Sequence, residues 1–391
     1  MKDQIETYAS KLVADRAADP TGIAFAVQDD QLYGTGEPYL ADLARNILSR
    51  LTGLAVVVAR PALPFAAFLM ERAAAGERTI VPPDTETRTF LHDIPFLRVD
   101  EFRRDGTAAV ARLLGARKGI IVEGVGIVAV GQLTVEQAYI NYSSIYHATF
   151  VKYLHDLLTD GFRLPGEEAA VRDFVATYRP ATAEGLVFRP GPLDDPEDIF
   201  AEMAAVGRYT VERRLVDSFF GNISCRTGNV VYISQTAASL DALAGCIDPV
   251  PMDNATTAGI TASSELLAHR KIYEATGART ILHAHPRFAV IMSMQCEEEG
   301  CAVTDCWKEC PKVRFLGGTP VVAGEIGAGG LARRVPPVIG GPGRAIVYGH
   351  GVFTLGETGF GEAFLAMAAV ENWCREEYFR RLEQQFGRDR S

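Results

Sequence analysis

The chain has 391 residues, 48% apolar and 23% charged, which is room for two ordinary domains with sizeable cores and unlike a disordered polymer. A net charge of −10 without a basic stripe argues against a nucleic-acid partner, while leaving room for a small phosphorylated ligand held by amides and hydroxyls. The longest apolar run, 54–70, is broken by Arg60, Pro61 and Pro64, and the first residues mix both charges; no membrane partner or signal peptide is expected, and the chain reads as cytoplasmic.

Along the chain, two phrases recur. RTFLHDIP at 88–95 matches RTILHAHP at 279–286 at an offset of 191, and EGVGIVAVG at 123–131 matches YGHGVFTLG at 348–356 at an offset of 225. The second match runs on into a helix, so that Ala138 falls on Ala363, Tyr139 on Phe364 and Tyr153 on Tyr378. A tandem duplication follows. The 34-residue difference between offsets predicts an insertion between the paired segments of the second copy. The expected organisation is a first domain over 1–161, a Pro-, Gly- and acid-rich linker over 162–198 with a short helix at 167–177, and a second domain over 199–391.

In the second copy, 199–220 reads as a helix leading into GNIS, and 228–234 alternates like a strand. Residues 261–276 have helical spacing with a Ser-rich start and Gly277 as the stop. The strands RTILHAH and AIVYGHGVFTLG follow, then a final helix over about 359–385. Strands alternating with helices imply a layered α/β fold.

On a strand, His283 and His285 project to one side, roughly 7 Å apart along the backbone. His350, between Gly349 and Gly351 at a tight point of a second strand, can supply a third imidazole. Three neutral imidazoles with an open position describe a catalytic zinc site, and they also suit iron(II) or manganese(II). SSEL at 263–266 opens a helix whose amides and hydroxyls can hold an anion, whereas Glu265 in that first turn can equally be a capping carboxylate. GNIS (221–224) and SQTAAS (234–239) are small, polar and loop-prone, and could meet a phosphate.

Taken in order, GNIS, ISQTA, SSE, HAHP and GHG resemble the class II aldolase/adducin superfamily, over roughly residues 200–380. The first copy resembles it only through its last third. The resemblance implies two copies of a three-layer α/β/α unit with a central mixed or antiparallel sheet, the first copy lacking the metal site. It implies His283, His285 and His350 as metal ligands, Glu265 as acid/base, and Gly221, Asn222, Thr236, Ser263 and Ser264 as holders of a substrate phosphate. Ala237 stands where the family often has glycine, and alanine takes a positive φ less easily. The activity implied is metal-dependent carbon–carbon cleavage or formation through an enediolate, on a small hydroxy-carbonyl substrate such as a sugar phosphate. Epimerisation, dehydration or decarboxylation are alternatives, as are an iron(II) enzyme on the same fold and an adducin-like scaffold without activity. The family builds its sites between subunits of fourfold tetramers, so the resemblance also implies a homo-oligomer, a dimer of duplicated chains standing for the tetramer.

Cys296, Cys301, Cys306 and Cys310 follow the spacing C-x4-C-x4-C-x3-C inside the expected insertion. Seven cysteines without a secretion signal are expected as reduced thiols or metal ligands. These four could hold a second thiolate-bound metal or an iron–sulfur cluster, or be packed or redox-sensitive thiols. In the first copy, the phrase comparison puts Ile94 in place of His285 and Val125 in place of His350, a ligand site refilled with hydrocarbon. A different ligand set, His92, Asp93 and Glu123, is the alternative.

Overall fold

A computed structural model describes residues 1–217, 219–256, 260–324 and 327–388. The chain divides into two compact units, Met1–Tyr178 and Arg179–Ser391. Among the described residues, no helix is long and apolar enough to cross a membrane.

The first unit opens with α1 (Lys2–Ala14), β1 (Ile23–Gln28), β2 (Leu32–Gly36), α2 (Pro38–Leu48), β3 (Ala55–Ala59) and α3 (Phe65–Arg72). It continues with β4 (Thr79–Ile80), α4 (Thr85–Leu91), β5 (Ile94–Leu97), α5 (Val99–Leu114), β6 (Gly119–Val122), β7 (Gly126–Gly131), α6 (Val135–Asp160) and α7 (Glu167–Thr177). Its strands form one sheet in the order β2-β1-β3-β7-β6-β5-β4. Only the β5–β6 pairing is parallel. β3, AVVVA, is buried along its whole length, as expected of a strand covered on both faces. The apolar stripe of α2 (Leu40, Leu43, Ala44, Ile47) and the end of α5 (Val110, Leu114) close over Val56, Val58, Val125 and Val128 in one core cluster. α6 packs on β3, β6 and β7 and completes the layering.

The second unit begins with α8 (Pro196–Glu212), β8 (Gly221–Thr227), β9 (Val230–Ser234), β10 (Ile247–Pro251), α9 (Leu266–Ala275) and β11 (Thr280–Ala284). There follow α10 (Arg287–Met294), α11 (Cys306–Glu309), β12 (Arg314–Leu316), β13 (Thr319–Val322), α12 (Ala328–Arg334), α13 (Pro336–Ile339), β14 (Arg344–Val347), β15 (Gly351–Gly356) and α14 (Phe360–Arg388). The sheet order is β10-β9-β8-β11-β15-β14-β13-β12, and among the described residues β13–β14 is its one parallel pair. α9, α12 and α13 share a core with Ile281, Ala345, Val347 and Phe353, while α10 and α14 pack against β11, β14 and β15. Two mixed, mainly antiparallel sheets of matching order are the duplicated α/β architecture expected from the sequence.

The hydrogen-bond registers correct how the copies align. Ala55 faces Gly131 as Thr280 faces Gly356, Phe96 faces Ile121 as Val321 faces Ile346, and Gly119 faces Ala129 as Arg344 faces Thr354. Every one of these pairs is offset by 225 residues. RTILHAHP is therefore matched by LAVVVARP, which is β3 with its flanks, and not by RTFLHDIP, whose first half lies in α4 and whose last residues open β5. The resemblance between the two phrases is one of letters only. The expected insertion around the cysteines also falls away, because Ala59 to Leu97 and Ala284 to Val322 span equal lengths. The second unit's extra chain lies earlier, between β9 and α9, and it builds β10, a strand without a counterpart in the first sheet.

The segment read as a linker is divided between the units. Its helix α7 belongs to the first unit, held by Glu167, whose side chain is fully buried. That carboxylate accepts from Arg72 Nε at 2.5 Å and Nη2 at 2.9 Å, and from the amides of Arg163 and Leu164. Removing one partner from a buried pair strands the other charge, at about 3–5 kcal/mol. Arg72→Ala should lower the first unit's stability by that order in denaturant melts; an unchanged midpoint would show that Glu167 is satisfied without it.

Candidate metal centre

β11 is buried at all five positions and yet carries His283 at its fourth. A buried imidazole needs polar partners. His283 lies flat on Phe353 of β15, ring centres 4.0 Å apart, and its Nδ1 donates to the Val352 carbonyl at 3.0 Å. Because a carbonyl can only accept, Nδ1 holds the proton and Nε2 presents a lone pair to the site. His285 follows the last residue of β11 and stacks on Phe220 with ring centres 5.8 Å apart. His350 lies in the turn between β14 and β15, not on a strand as the sequence reading had it.

These three rings converge. Nε2 of His283 is 3.0 Å from Nε2 of His285 and 3.2 Å from Nε2 of His350. Tetrahedral zinc with Zn–N bonds of about 2.0–2.1 Å needs nitrogens roughly 3.3–3.4 Å apart. Lone pairs facing one another at such distances repel unless protons or a cation lie between them, and the protonated Nδ1 of His283 leaves its Nε2 nothing to donate. The donor set thus fits a divalent metal. Among the described residues, these histidines are the one group whose candidate ligand atoms gather within 4.8 Å. Gly351 makes the approach possible: a Cβ there would stand 2.5 Å from the Ala284 carbonyl oxygen and 2.6 Å from Cδ2 of His285.

Glu265, the residue before α9, turns its carboxylate into the same space. Oε2 is 3.4 Å from His283 Nε2, and Oε1 is 3.3 Å from His350 Nε2. Burial works to raise its pKa, but His283, His350 and the Asn222 amide outweigh this and hold the carboxyl well below its usual range. Burial pushes the His283 imidazolium pKa down to about 4, with Glu265 opposing, so that near pH 7 the imidazole is neutral and the carboxylate ionised. In the first unit Glu37 occupies the same place before α2, but its carboxylate turns back to cap its own helix at Leu40.

Behind Glu265 runs a chain of hydrogen bonds that the sequence reading missed. Asn222 Nδ2 donates to Glu265 Oε2 at 2.9 Å, and Asn222 Oδ1 lies 2.5 Å from His269 Nε2. His269 Nδ1 is 2.7 Å from Ser224 Oγ, which is 2.8 Å from the Tyr273 hydroxyl. With the Asn222 amide donating to the carboxylate, each donor in the row points toward Glu265: His269 Nε2–H, Ser224 O–H and Tyr273 O–H. Residues 265, 269 and 273 lie at i, i+4 and i+8, a polar stripe on the helix face that should be core. That stripe was the available signal. Burial, opposed by Glu265, depresses the His269 pKa from 6.5 to about 3. A depressed group contributes stability that is present above its unfolded pKa and lost as the pH falls through the folded one. Wild type should therefore lose stability between pH 6.5 and 3 more steeply than His269→Phe, read from urea midpoints. Parallel losses would rule out the neutral imidazole as the cause.

The residues expected to hold a phosphate are only partly assembled for it. Asn222 gives one amide hydrogen to Glu265 and its Oδ1 to His269, which leaves the second Nδ2 hydrogen for a ligand. Ser263 Oγ accepts from the Glu265 amide, and Thr236 Oγ1 donates to the Ala262 carbonyl. Gly221 pairs with Ala284 in the sheet, at φ 121°. Ser264 is exposed. Ala237 takes φ 59°, so the loop keeps the conformation that glycine would give, at a cost of about 1–2 kcal/mol.

In the first unit the registers put Val58 where the second has His283, Arg60 where it has His285, and Val125 where it has His350. Val58 and Val125 belong to the core under α2 and α5. Hydrocarbon thus replaces two of the three ligands, and the counterpart of His285 is a charged residue, Arg60, and not Ile94. The alternative set does not converge: His92 is exposed at the end of α4, Asp93 is paired with Arg117 at 2.7 Å, and Glu123 accepts from the Val99 amide.

Residues 201–378 match the family model for the Class II Aldolase and Adducin N-terminal domain. No curated protein matches the chain. Among solved structures, L-fuculose-1-phosphate aldolase from Thermus thermophilus is 25% identical, with 48% of this chain and 96% of that one covered, at a TM-score of 0.40. YgbL, a putative aldolase/epimerase/decarboxylase from Escherichia coli, is 19% identical over 47% and 89%, at 0.39. The N-terminal class II aldolase domain of a conserved protein from Thermoplasma acidophilum is 15% identical over 49% and 99%, at 0.34.

Proposed function

Residues 201–378 match the class II aldolase and adducin domain, and on that premise we propose that the second unit is a divalent-metal-dependent lyase acting on a small hydroxy-carbonyl compound. The observation that carries this reading is an ionised carboxylate, Glu265, set 3.3–3.4 Å from the nitrogens of a converged three-histidine site. His283, His285 and His350 hold the metal, zinc in the first instance. Bound there, a divalent ion would supply Lewis-acid stabilisation to negative charge developing on the substrate oxygens.

The remaining work falls to the chain itself. Glu265 takes the proton from the carbon beside the substrate carbonyl, or returns it, and changes its own hydrogen bonds little in doing so. Asn222 fixes Oε2 from one side, and His269 fixes Asn222. Phe353 and Phe220 back the rings of His283 and His285 and exclude water from them. A substrate phosphate would meet the exposed Ser264 and the loop at Thr236 and Ala237. The adducin-like scaffold is disfavoured by the second unit's intact ligand set. In the same reading the chain works as a homo-oligomer in the cytoplasm, and a monomeric mass in solution would oppose the first part.

The test is turnover. Metal-replete protein, offered a panel of ketose 1-phosphates that includes fuculose 1-phosphate, should release dihydroxyacetone phosphate from at least one, and chelation should stop it. No cleavage of any member with zinc, iron(II) or manganese(II) would contradict the lyase reading.

A further inference from the structure

The function above leaves unused the cysteines that follow α10. Cys296, Cys301, Cys306 and Cys310 are all free thiols, and all four line one pocket, whose remaining wall includes Arg314 and Tyr348. The segment is anchored at both ends although no disulfide crosses it. Arg314 donates to the Gln295 carbonyl at 2.8 Å and also to that of Ser293, which holds the end of α10 against β12. The Gly324 amide donates to the Trp307 carbonyl at 3.0 Å, fixing α11 to the chain leaving β13. Cys306 opens α11 and Cys310 is the residue just past its end, and both line the same pocket.

We infer that these four cysteines hold a second, thiolate-bound metal centre, separate from the three-histidine site. Four soft sulfur donors on one pocket, in a segment short of apolar packing, are the ligand set of a zinc ion or an iron–sulfur cluster. Hard cations and histidine-preferring sites call for other donors. Burial and the neighbouring thiols together raise the Cys306 pKa, as expected where sulfurs crowd, and the Arg314 guanidinium opposes them. A bound cation reverses that balance, since each thiol gives up its proton on ligation. The sulfurs do not gather as tightly as the histidine nitrogens, whose group alone among the described residues comes within 4.8 Å. The occupant therefore either draws the loop inward, as a single zinc would, or spans the gap, as a cluster would.

The position gives the centre a structural task. α10 begins two residues after His285, and Tyr348 lies two residues before His350. The Gly349 amide donates to Ser293 Oγ of α10 at 2.8 Å. A metal that stiffens the cysteine segment therefore braces the two elements that present these histidines.

The experiment uses the full chain, prepared without oxygen and stripped of metal, titrated with Co2+. Thiolate ligation gives an intense sulfur-to-cobalt charge-transfer band in the near ultraviolet, which nitrogen and oxygen ligands lack. The band is expected in wild type, retained in full in His285→Ala, and lost in Cys306→Ser. As purified, the same centre should appear as zinc that remains bound in His285→Ala, or as iron with acid-labile sulfide and visible absorbance, and either supports the inference. Absence of the thiolate band in wild type would overturn it, with no variant needing to fold. So would metal that disappears entirely in His285→Ala. Because the band is read without turnover, its outcome is independent of whether the lyase reading holds.

Discussion

Glu265→Gln is expected to abolish turnover while leaving the metal content unchanged. The substitution keeps the size of the side chain and leaves His283, His285 and His350 to bind the ion. It removes a carboxylate that lies beside the three histidines, is ionised at neutral pH and can carry a proton. General-base contributions are typically 10²–10⁴-fold, and a base without a substitute nearby should lie at the upper end. The neighbouring groups cannot take over: Asn222 is an amide, and the His269 imidazole, its pKa depressed to about 3, already donates to Asn222. Kinetics beside metal analysis check this. Full activity in Glu265→Gln would remove Glu265 from the chemistry, and loss of metal would make it a ligand instead.

His285→Ala should cost one equivalent of metal per chain and all activity. Two nitrogens in place of three leave a divalent ion held no better than by scattered surface histidines. The loss also reads out in stability, because a ligand that binds only the folded state stabilises it by about 4 kcal/mol at a thousandfold excess over its dissociation constant. Wild-type thermal unfolding should move upward with added Zn2+, and the histidine-site part of that response should vanish in the variant. A variant that keeps the full wild-type metal content would place the ion elsewhere.

Much of this site is legible in the residues. HAH and GHG announce three imidazoles, and alternation along a strand brings His283 and His285 to one side. What the letters hide is register. RTFLHD matches RTILHA well, but one is a helix and the other a central strand. Only the hydrogen bonds of β3 to β7 and of β11 to β15 identify LAVVVARP as the true counterpart. His269 was missed for a different reason: the stripe of Glu265, His269 and Tyr273 is visible in the letters, but its role emerges only when Asn222 and Ser224 are brought from β8 to either side of the imidazole. Ala237 shows that a backbone conformation can persist where its favoured residue is lost, because the surrounding hydrogen bonds over-determine the loop.

The central claim is that Glu265, beside a metal held by three histidines, moves a proton at the carbon next to a carbonyl. The most direct measurement is hydrogen exchange in deuterated water. Metal-replete protein is incubated with dihydroxyacetone phosphate and the C–H signals are followed by NMR. One C–H signal should be lost, at a single face of the carbon, and that loss should be absent after chelation and in Glu265→Gln. Exchange that persists in Glu265→Gln, or none in metal-replete wild type, would contradict it.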